Sequence, residues 1–341
     1  MQEDRLLVLR GEEVRSLLAG REVEIVRAVQ QAYDAHFHGR TSLPHSTFLT
    51  FADQSRNRII ALPAYLNGDF QVAGIKWISS FTGNHNLGLD RASALIVLNS
   101  AVTGRPHAIL EGSRISAKRT AASAALASTL LMPNKGAEVV GIIGCGPIGF
   151  ETLRFLLAVR PGIAKVVVFD IHDERMVQFK ENSQKLEPQL EVVTASSLDA
   201  VLSAANVVVF ATTASQPHVQ DLSACAPGTL ILNVSLRDLS AETILSSDNI
   251  VDDVDHVCRA QTSIHLAEQV VGNRQFIRGT LGEVLNHATP PKNDARAITV
   301  FSPFGLGILD LAVSKIVYDL AVQQNKGSYI DNFFPTPELK S

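Results

Sequence analysis

Glu138-Val-Val-Gly-Ile-Ile-Gly-Cys-Gly-Pro-Ile-Gly149 is the stretch on which the fold turns. From Glu138 to Ile143 it is apolar apart from its first residue and Gly141, the pattern of a buried strand. It runs straight into Gly144-x-Gly146-x-x-Gly149, after which Ile148, Leu153, Leu156 and Leu157 follow a helical pattern. Strand, glycine turn and helix in this order give the glycine spacing its meaning. Gly144 permits a tight turn, and Gly146 has no side chain to hold a pyrophosphate off the backbone. Gly149 lets the helix pack closely on the strand, and the free N–H groups at the start of the helix, around Pro147 and Ile148, face the phosphates. A second strand, Lys165-Val-Val-Val-Phe169, ends at Asp170, about twenty positions after the last glycine, where a carboxylate binds a ribose hydroxyl. That acid accepts hydrogen bonds from a free ribose but repels a phosphate, and no arginine follows until Arg175, so NAD is expected rather than NADP. The plainer alternative is a glycine turn that binds no nucleotide.

A chain of 341 residues has room for two cores. With 46% hydrophobic and 19% charged residues the composition is that of an ordinary globular protein. A net charge of −4 provides no basic field for nucleic acid. Cys145, Cys225 and Cys258 are widely spaced and odd in number, which gives neither a disulfide framework nor a zinc pattern and points to a reducing compartment. Met1 to Arg5 has no signal-like apolar core, and no apolar run reaches the roughly 20 residues of a membrane span. A cytoplasmic location with no membrane partner is the expectation.

Residues 11–38 read as two helices, the second with the stripe Val26, Val29, Tyr33 and Phe37. His36 and His38 lie two positions apart on that helix, on different faces, and so make a poor metal pair. Strands are expected at 47–51, 58–61, 72–79, 94–98 and 107–111, with Ser100 to Gly104 as a hairpin turn. Several strands in series without helices suggest a mostly antiparallel sheet apart from the nucleotide domain. Within Ala73-Gly-Ile-Lys-Trp-Ile78, Lys76 is out of place. It is either a solvent-facing lysine of an edge strand or an amine in a cleft whose burial lowers its pKa. The alanine-rich helix 113–131 is interrupted by Arg119 and Thr120; Arg119 is either a surface residue or a two-point clamp for a carboxylate. Thr120 is a candidate cofactor contact. After Asp170, helices and strands alternate as in a doubly wound fold, where ligands sit beyond the carboxyl ends of strands. That rule singles out Thr212, Thr213 and Ser235 as cofactor contacts and Asp238 as a general base, against an ordinary loop acid or a cap for a helix near Ser240. Ser302-Pro-Phe-Gly-Leu-Gly307 leads into a last helix with Asp310 near its start, either a second candidate base or a favourable charge at the helix terminus. The tail after Gly327 is expected to be extended and docked.

Gly74-Ile-Lys-Trp77, Lys118-Arg-Thr-Ala-Ala122, the glycine turn and Phe304-Gly-x-x-x-x-Asp310, in this order along nearly the whole chain, resemble the ornithine cyclodeaminase/μ-crystallin family. Arg58-Ile-Ile-Ala-Leu-Pro63, Asp90-Arg-Ala-Ser-Ala94 and Val251-Asp-Asp-Val-Asp-His-Val-Cys-Arg259 look closest to one branch, the N-(2-amino-2-carboxyethyl)-L-glutamate dehydrogenases of siderophore and peptide-antibiotic pathways. The resemblance implies an α/β fold with a doubly wound Rossmann sheet at 116–307, inserted into a discontinuous α+β substrate and dimerisation domain at 1–115 and 308–341. It implies a homodimer, NAD as cofactor and a small amino-acid-derived substrate, with Lys76 and Arg119 as substrate-binding residues and Arg58 and Arg91 added to them. In that branch NAD oxidises the glutamyl C–N bond and water splits the imine to 2,3-diaminopropionate and 2-oxoglutarate. Cyclodeaminases place an aspartate in a Gly-Gly-Asp loop, whereas Ser235-Leu-Arg-Asp238 carries its acid one position later. The alternatives are an ornithine cyclodeaminase, a ketimine reductase or alanine-dehydrogenase-like enzyme, and a non-enzymatic dinucleotide-binding protein of μ-crystallin type.

Overall fold

The computed structural model describes residues 5–132 and 139–335. Glu138 of the quoted stretch, Met1 to Asp4, the expected helix stop from Pro133 to Gly136, and Pro337 of the tail lie outside the described residues. The chain divides into two compact units, residues 1–119 with 306–341 and residues 120–305.

The first unit contains β1 (Arg5–Leu9), α1 (Gly11–Leu18), α2 (Glu22–Phe37), β2 (Thr41–Ser42), β3 (Thr47–Phe51), β4 (Gln54–Leu66), β5 (Val72–Ser80), β6 (Ala92–Ser100), β7 (Pro106–Glu111) and the start of α3 (Ser113–Leu131). The helix Gly307–Gln323 and the strand Ser328–Asp331 return to it. Its sheet runs in the order C-terminal strand, β1, β7, β6, β5, β4, β2, with β3 also on β4. Pairing is antiparallel except between β1 and β7. The hairpin between β6 and β7 closes through Gly104 N–H to the Ser100 carbonyl at 2.9 Å, with Gly104 at φ 73°. Val26, Val29 and Tyr33 of α2 are buried as their spacing demands, whereas Phe37 is exposed where the helix ends.

Alternation decides what each face of this sheet carries. Leu66, Val72, Lys76, Ile96 and Leu98, at even positions of β4 to β6, are all buried. The odd positions Trp77 and Leu95, direct cross-strand partners, are 44% and 41% exposed. The helix Gly307–Gln323 packs on β4, β5 and β6. Two glycines let it approach. A Cβ on Gly307 would stand 3.2 Å from Ala64 Cβ, and one on Gly74 would stand 3.0 Å from Leu311 and 2.3 Å from the Val97 carbonyl oxygen. The tail expectation is met in part by Ser328–Asp331, which pairs antiparallel with β1.

The second unit alternates β8 (Val139–Ile143), α4 (Pro147–Val159), β9 (Lys165–Phe169), α5 (Asp173–Leu186), β10 (Glu191–Thr194), α6 (Leu198–Ala204), β11 (Val207–Phe210) and β12 (Leu230–Asn233). It continues with α7 (Ala241–Leu245), β13 (Asp248–Val251), α8 (Val254–Val257), α9 (Ser263–Val271), β14 (Ile277–Thr280), α10 (Leu281–Leu285) and β15 (Thr299–Ser302). The sheet is parallel throughout, in the order β10-β9-β8-β11-β12-β15-β13-β14. β11, β12 and β15 are buried at every position, as a sheet covered on both faces requires. The fold is therefore α/β, with a doubly wound sheet in one unit and a mixed α+β arrangement in the other. β14 has no counterpart in the sequence reading, because Ile277-Arg-Gly-Thr280 is too short and too polar for a strand pattern to stand out.

Replacing Gly74 by Ala drives a methyl group into a backbone carbonyl that cannot swing away. Overpacking of this kind destabilises by roughly 1–3 kcal/mol, so thermal unfolding monitored by circular dichroism is expected to show a clearly lower Tm for Gly74→Ala than for the parent chain.

Candidate active site

Lys76 sits in β5, an interior strand, on the buried face, and is 2% exposed. Its Nζ donates to Asp310 Oδ2 at 2.7 Å and to Ser116 Oγ at 3.1 Å. Arg119 Nε donates to the other oxygen of the same carboxylate, Asp310 Oδ1, at 3.1 Å. Ser116 and Arg119 stand three residues apart on α3 and so share a face, while Asp310 occupies the first turn of the helix Gly307–Gln323, wholly buried. One carboxylate thus holds two cations, which leaves the cluster one positive charge in excess. Burial and the neighbouring Arg119 charge pull the Lys76 ammonium down to about 8, against the opposing pull of Asp310. Arg119 Nη2 reaches Ser116 Oγ at 3.5 Å, and among the described residues the η nitrogens make no ion pair with any carboxylate besides Asp310, which leaves them donors for an anion.

Arg58 and Arg91 form a second basic place in the same unit. Arg58 pairs across β4 and β5 with Ser80, and Ser80 pairs with Ala92, the residue after Arg91. Among the described residues neither guanidinium meets a carboxylate, and Arg58 Nε is buried with no hydrogen-bond partner. Burial lowers both pKa values, and the Arg58 charge adds to the effect on Arg91. Arg58 lies on the same face of the sheet as Lys76. Its partner Ser80 stands four positions along β5, roughly 13 Å at the usual strand rise.

In the second unit the glycines separate into the expected roles. Gly144 sits at φ 96°, and a Cβ there would meet the Ala211 carbonyl oxygen at 2.6 Å. One on Gly149 would meet the Gly144 carbonyl oxygen at 2.4 Å, so this residue allows α4 to close on the turn. Around Gly146 a Cβ would find nothing within 4 Å, the open approach a phosphate needs. Gly146 caps α4 without a side-chain bond, Pro147 follows at the first position, and Ile148 and Gly149 bring the first free N–H groups. Asp170 is buried beside the turn, accepting from Cys145 N–H at 2.8 Å and from His172 N–H at 3.0 Å. Cys145 lies in the turn, its thiol pushed up to about 12 by burial and by Asp170. These residues fit a dinucleotide with a free ribose.

Thr212, Ser235 and Asp238 come together beyond β11 and β12. Thr212 Oγ1 donates to Asp238 Oδ1 at 2.5 Å and Ser235 Oγ donates to Asp238 Oδ2. His218 Nε2 lies 3.0 Å from Asp238 Oδ1. Asp238 is completely buried with both oxygens engaged, and the cap of α7 is Ser240. Thr213 is exposed next to this group, and Thr120 is a partnered residue of α3. Ser116 and His218 were missed in the sequence. The first could have been found as the residue one turn before Arg119, the second as the histidine closing the loop that begins at Thr212. Asp252 was missed as well. It is buried and its carboxylate accepts the N–H groups of Phe304 and Gly305, so it shapes the glycine turn 302–307 from within. No group of histidine, cysteine, aspartate and glutamate side chains suited to a metal occurs among the described residues.

Comparison with known proteins places the chain in a family. The sequence profile of the ornithine cyclodeaminase/mu-crystallin family matches residues 6–325. N-((2S)-2-amino-2-carboxyethyl)-L-glutamate dehydrogenase of Staphylococcus aureus is 30% identical over 312 residues, 90% of this chain and 92% of that protein. Among solved structures, Δ1-pyrroline-2-carboxylate reductase of Thermococcus litoralis with NADH and L-proline is 28% identical at a TM-score of 0.86, covering 94% of this chain and 99% of that one. An archaeal alanine dehydrogenase dimer with bound NAD is 29% identical, also at 0.86, covering 97% and 100%. By sequence profile and by structure, the chain belongs to the ornithine cyclodeaminase/mu-crystallin family.

Proposed function

We propose that the chain is an NAD-dependent oxidoreductase acting on the CH–NH bond of an amino acid, and that its substrate is N-(2-amino-2-carboxyethyl)-L-glutamate. The observation that carries the reaction class is the buried Lys76–Asp310–Arg119 cluster with its surplus positive charge. A buried cation without an anion is unfavourable, and a substrate carboxylate supplies that anion. Arg119 takes the glutamyl α-carboxylate through its η nitrogens, which fixes the carbon that is to be oxidised. Hydride leaves that carbon only when the adjacent nitrogen has a lone pair, and an amine of this kind is mostly protonated near neutrality. Lys76, with its pKa drawn down to about 8, is in reach of the role of base in its unprotonated form. Asp310 holds Lys76 through one oxygen and Arg119 through the other and so orients both. NAD, when bound by Gly144, Gly146, Pro147, Ile148, Gly149 and Asp170, supplies the hydride acceptor. Water then adds to the carbon of the iminium and loses a proton to solvent, the protonated Lys76 returns its proton to the departing nitrogen, and the C–N bond breaks as the new hydroxyl gives up its proton to become the keto oxygen, yielding 2,3-diaminopropionate and 2-oxoglutarate. This assigns Lys76, rather than Asp310 or Asp238, as the proton carrier, with Asp310 as the group that orients it.

Arg58 and Arg91 favour the glutamate derivative over alanine, proline or ornithine. Each of those has a single carboxylate, which Arg119 satisfies, leaving the Arg58 and Arg91 guanidiniums without a carboxylate among the described residues. A substrate with three carboxylates has charges for both places. The S. aureus protein that bears this substrate's name supports the same reading. The product is a building block for siderophores or peptide natural products, and a cytoplasmic pathway of that kind is the setting we propose. Among the described residues no helix is long and apolar enough to cross a membrane. The exposed row Leu49, Trp77 and Leu95 is the surface we assign to a second copy of the chain, in line with the dimeric archaeal alanine dehydrogenase.

Purified protein with NAD is expected to accumulate NADH with N-(2-amino-2-carboxyethyl)-L-glutamate, with both products seen by mass spectrometry. Conversion of ornithine to proline without net NADH would instead establish the cyclodeaminase. Lys76→Met is expected to slow NADH formation on the order of 10²–10⁴-fold, the usual contribution of a positioned base. Because the unprotonated amine is the active form, kcat/KM of the parent rises with pH up to a bend near 8 and is level above it. The double change Arg58→Gln, Arg91→Gln is expected to raise KM at least tenfold while kcat changes less, since each lost charge-assisted bond is worth about 1.5–3 kcal/mol. Trp77→Asp is expected to convert the dimer to monomer in light scattering coupled to size exclusion.

A further inference from the structure

The His218–Asp238 pair is absorbed by none of these roles. Three groups converge on the Asp238 carboxylate, Thr212 Oγ1, Ser235 Oγ and His218 Nε2. Its backbone carbonyl also accepts the N–H groups of His218 and Val219, both at 2.9 Å. The imidazole is therefore fixed at both its ring and its backbone. With Nε2 as the donor to Asp238, Nδ1 carries the lone pair and meets no partner among the described residues, while the side chain is 41% exposed. The loop that supplies Asp238 holds Leu236 at φ 76°, a conformation unfavourable for leucine. It is pinned there by Ser263 N–H on the Leu236 carbonyl at 2.7 Å and by Arg237 on the Ala260 carbonyl at 2.6 Å.

The position of the ring follows from the sheet order. β9 and β11 flank β8 on opposite sides, and β12 lies beyond β11. Asp170, at the end of β9, marks the adenosine side of the nucleotide crevice, and the glycine turn after β8 marks the pyrophosphate. His218 and Asp238 follow β11 and β12, on the other side. We propose that His218 binds the non-adenine half of the dinucleotide, its Nδ1 accepting a hydrogen bond from the ribose hydroxyl next to the nicotinamide, with Asp238 as the positioning residue. This rests on the NAD reading above.

Fragments of the nucleotide test it by calorimetry on the full chain. AMP reaches only the adenosine side, ADP-ribose adds the second ribose, and NADH adds the ring. His218→Ala is expected to weaken ADP-ribose and NADH about tenfold, the worth of one hydrogen bond, and to leave AMP within twofold. His218→Asn, which keeps a polar atom near the place of Nδ1, is expected to recover most of the loss. Unchanged ADP-ribose affinity in His218→Ala would overturn the proposal, and so would an equal loss for AMP, which would make the pair a loop tie. Failure of the parent chain to bind NADH at all would strike the cofactor reading itself.

Discussion

Two cations share one buried carboxylate at Asp310, and the first unit is arranged so that they can. Taking charges out of water costs several kcal/mol per ion, and attraction inside the protein recovers that only with good geometry and full hydrogen bonding. Here one cation remains uncompensated, so the cluster is a poor device for stability and a good one for gripping an anion. Its position depends on close approach of a helix to a sheet. Gly74 and Gly307 remove the methyl groups that would hold the helix Gly307–Gln323 away from β4 and β5. In α3, Ala121, Ala122, Ala124, Ala125 and Ala127 are all buried.

The second unit solves a different problem, which is how to bring bare backbone to a phosphate. Each glycine of the turn meets a different neighbour: Gly144 the carbonyl of Ala211, Gly149 the carbonyl of Gly144, and Gly146 open space. The same spacing thus encodes one conformational, one packing and one binding requirement. Asp170 is held in place by two backbone N–H groups before any ribose arrives, so its orientation is set by the turn itself. Preorganisation of this kind reduces the ordering that binding must otherwise impose.

Much of this was legible along the chain because it depends on local pattern. The glycine turn, the alternating strands of the antiparallel sheet and the alanine-rich helix announce themselves within a dozen residues. Lys76 was legible as an anomaly, a charge within an apolar strand, although pattern alone left an edge strand open. Whether β5 is an edge or an interior strand is decided by β4 and β6 on either side, which periodicity within β5 does not contain. The meeting of Lys76 with Asp310 joins residues 234 positions apart, and the sequence holds no signal of such a distance beyond family likeness. Ser116 and His218 escaped for a related reason. Serine near a helix start and histidine in a loop are ordinary, and only their partners make them notable. Asp238 illustrates the reverse: its place after a strand was plain, but its complete burial under Thr212, Ser235 and His218 was not.

Lys76 and Trp77 are neighbours in β5 and point to opposite faces of the sheet, one buried and one exposed. A pleated strand admits only two settings, and a slip of a single position exchanges them. Loss or gain of one residue in this strand would carry an ammonium group out to the surface and drive an indole into the hole beside Asp310. Length here is therefore as tightly constrained as chemistry, and variation within the family should collect in the loops that join these strands while β5 itself keeps its count.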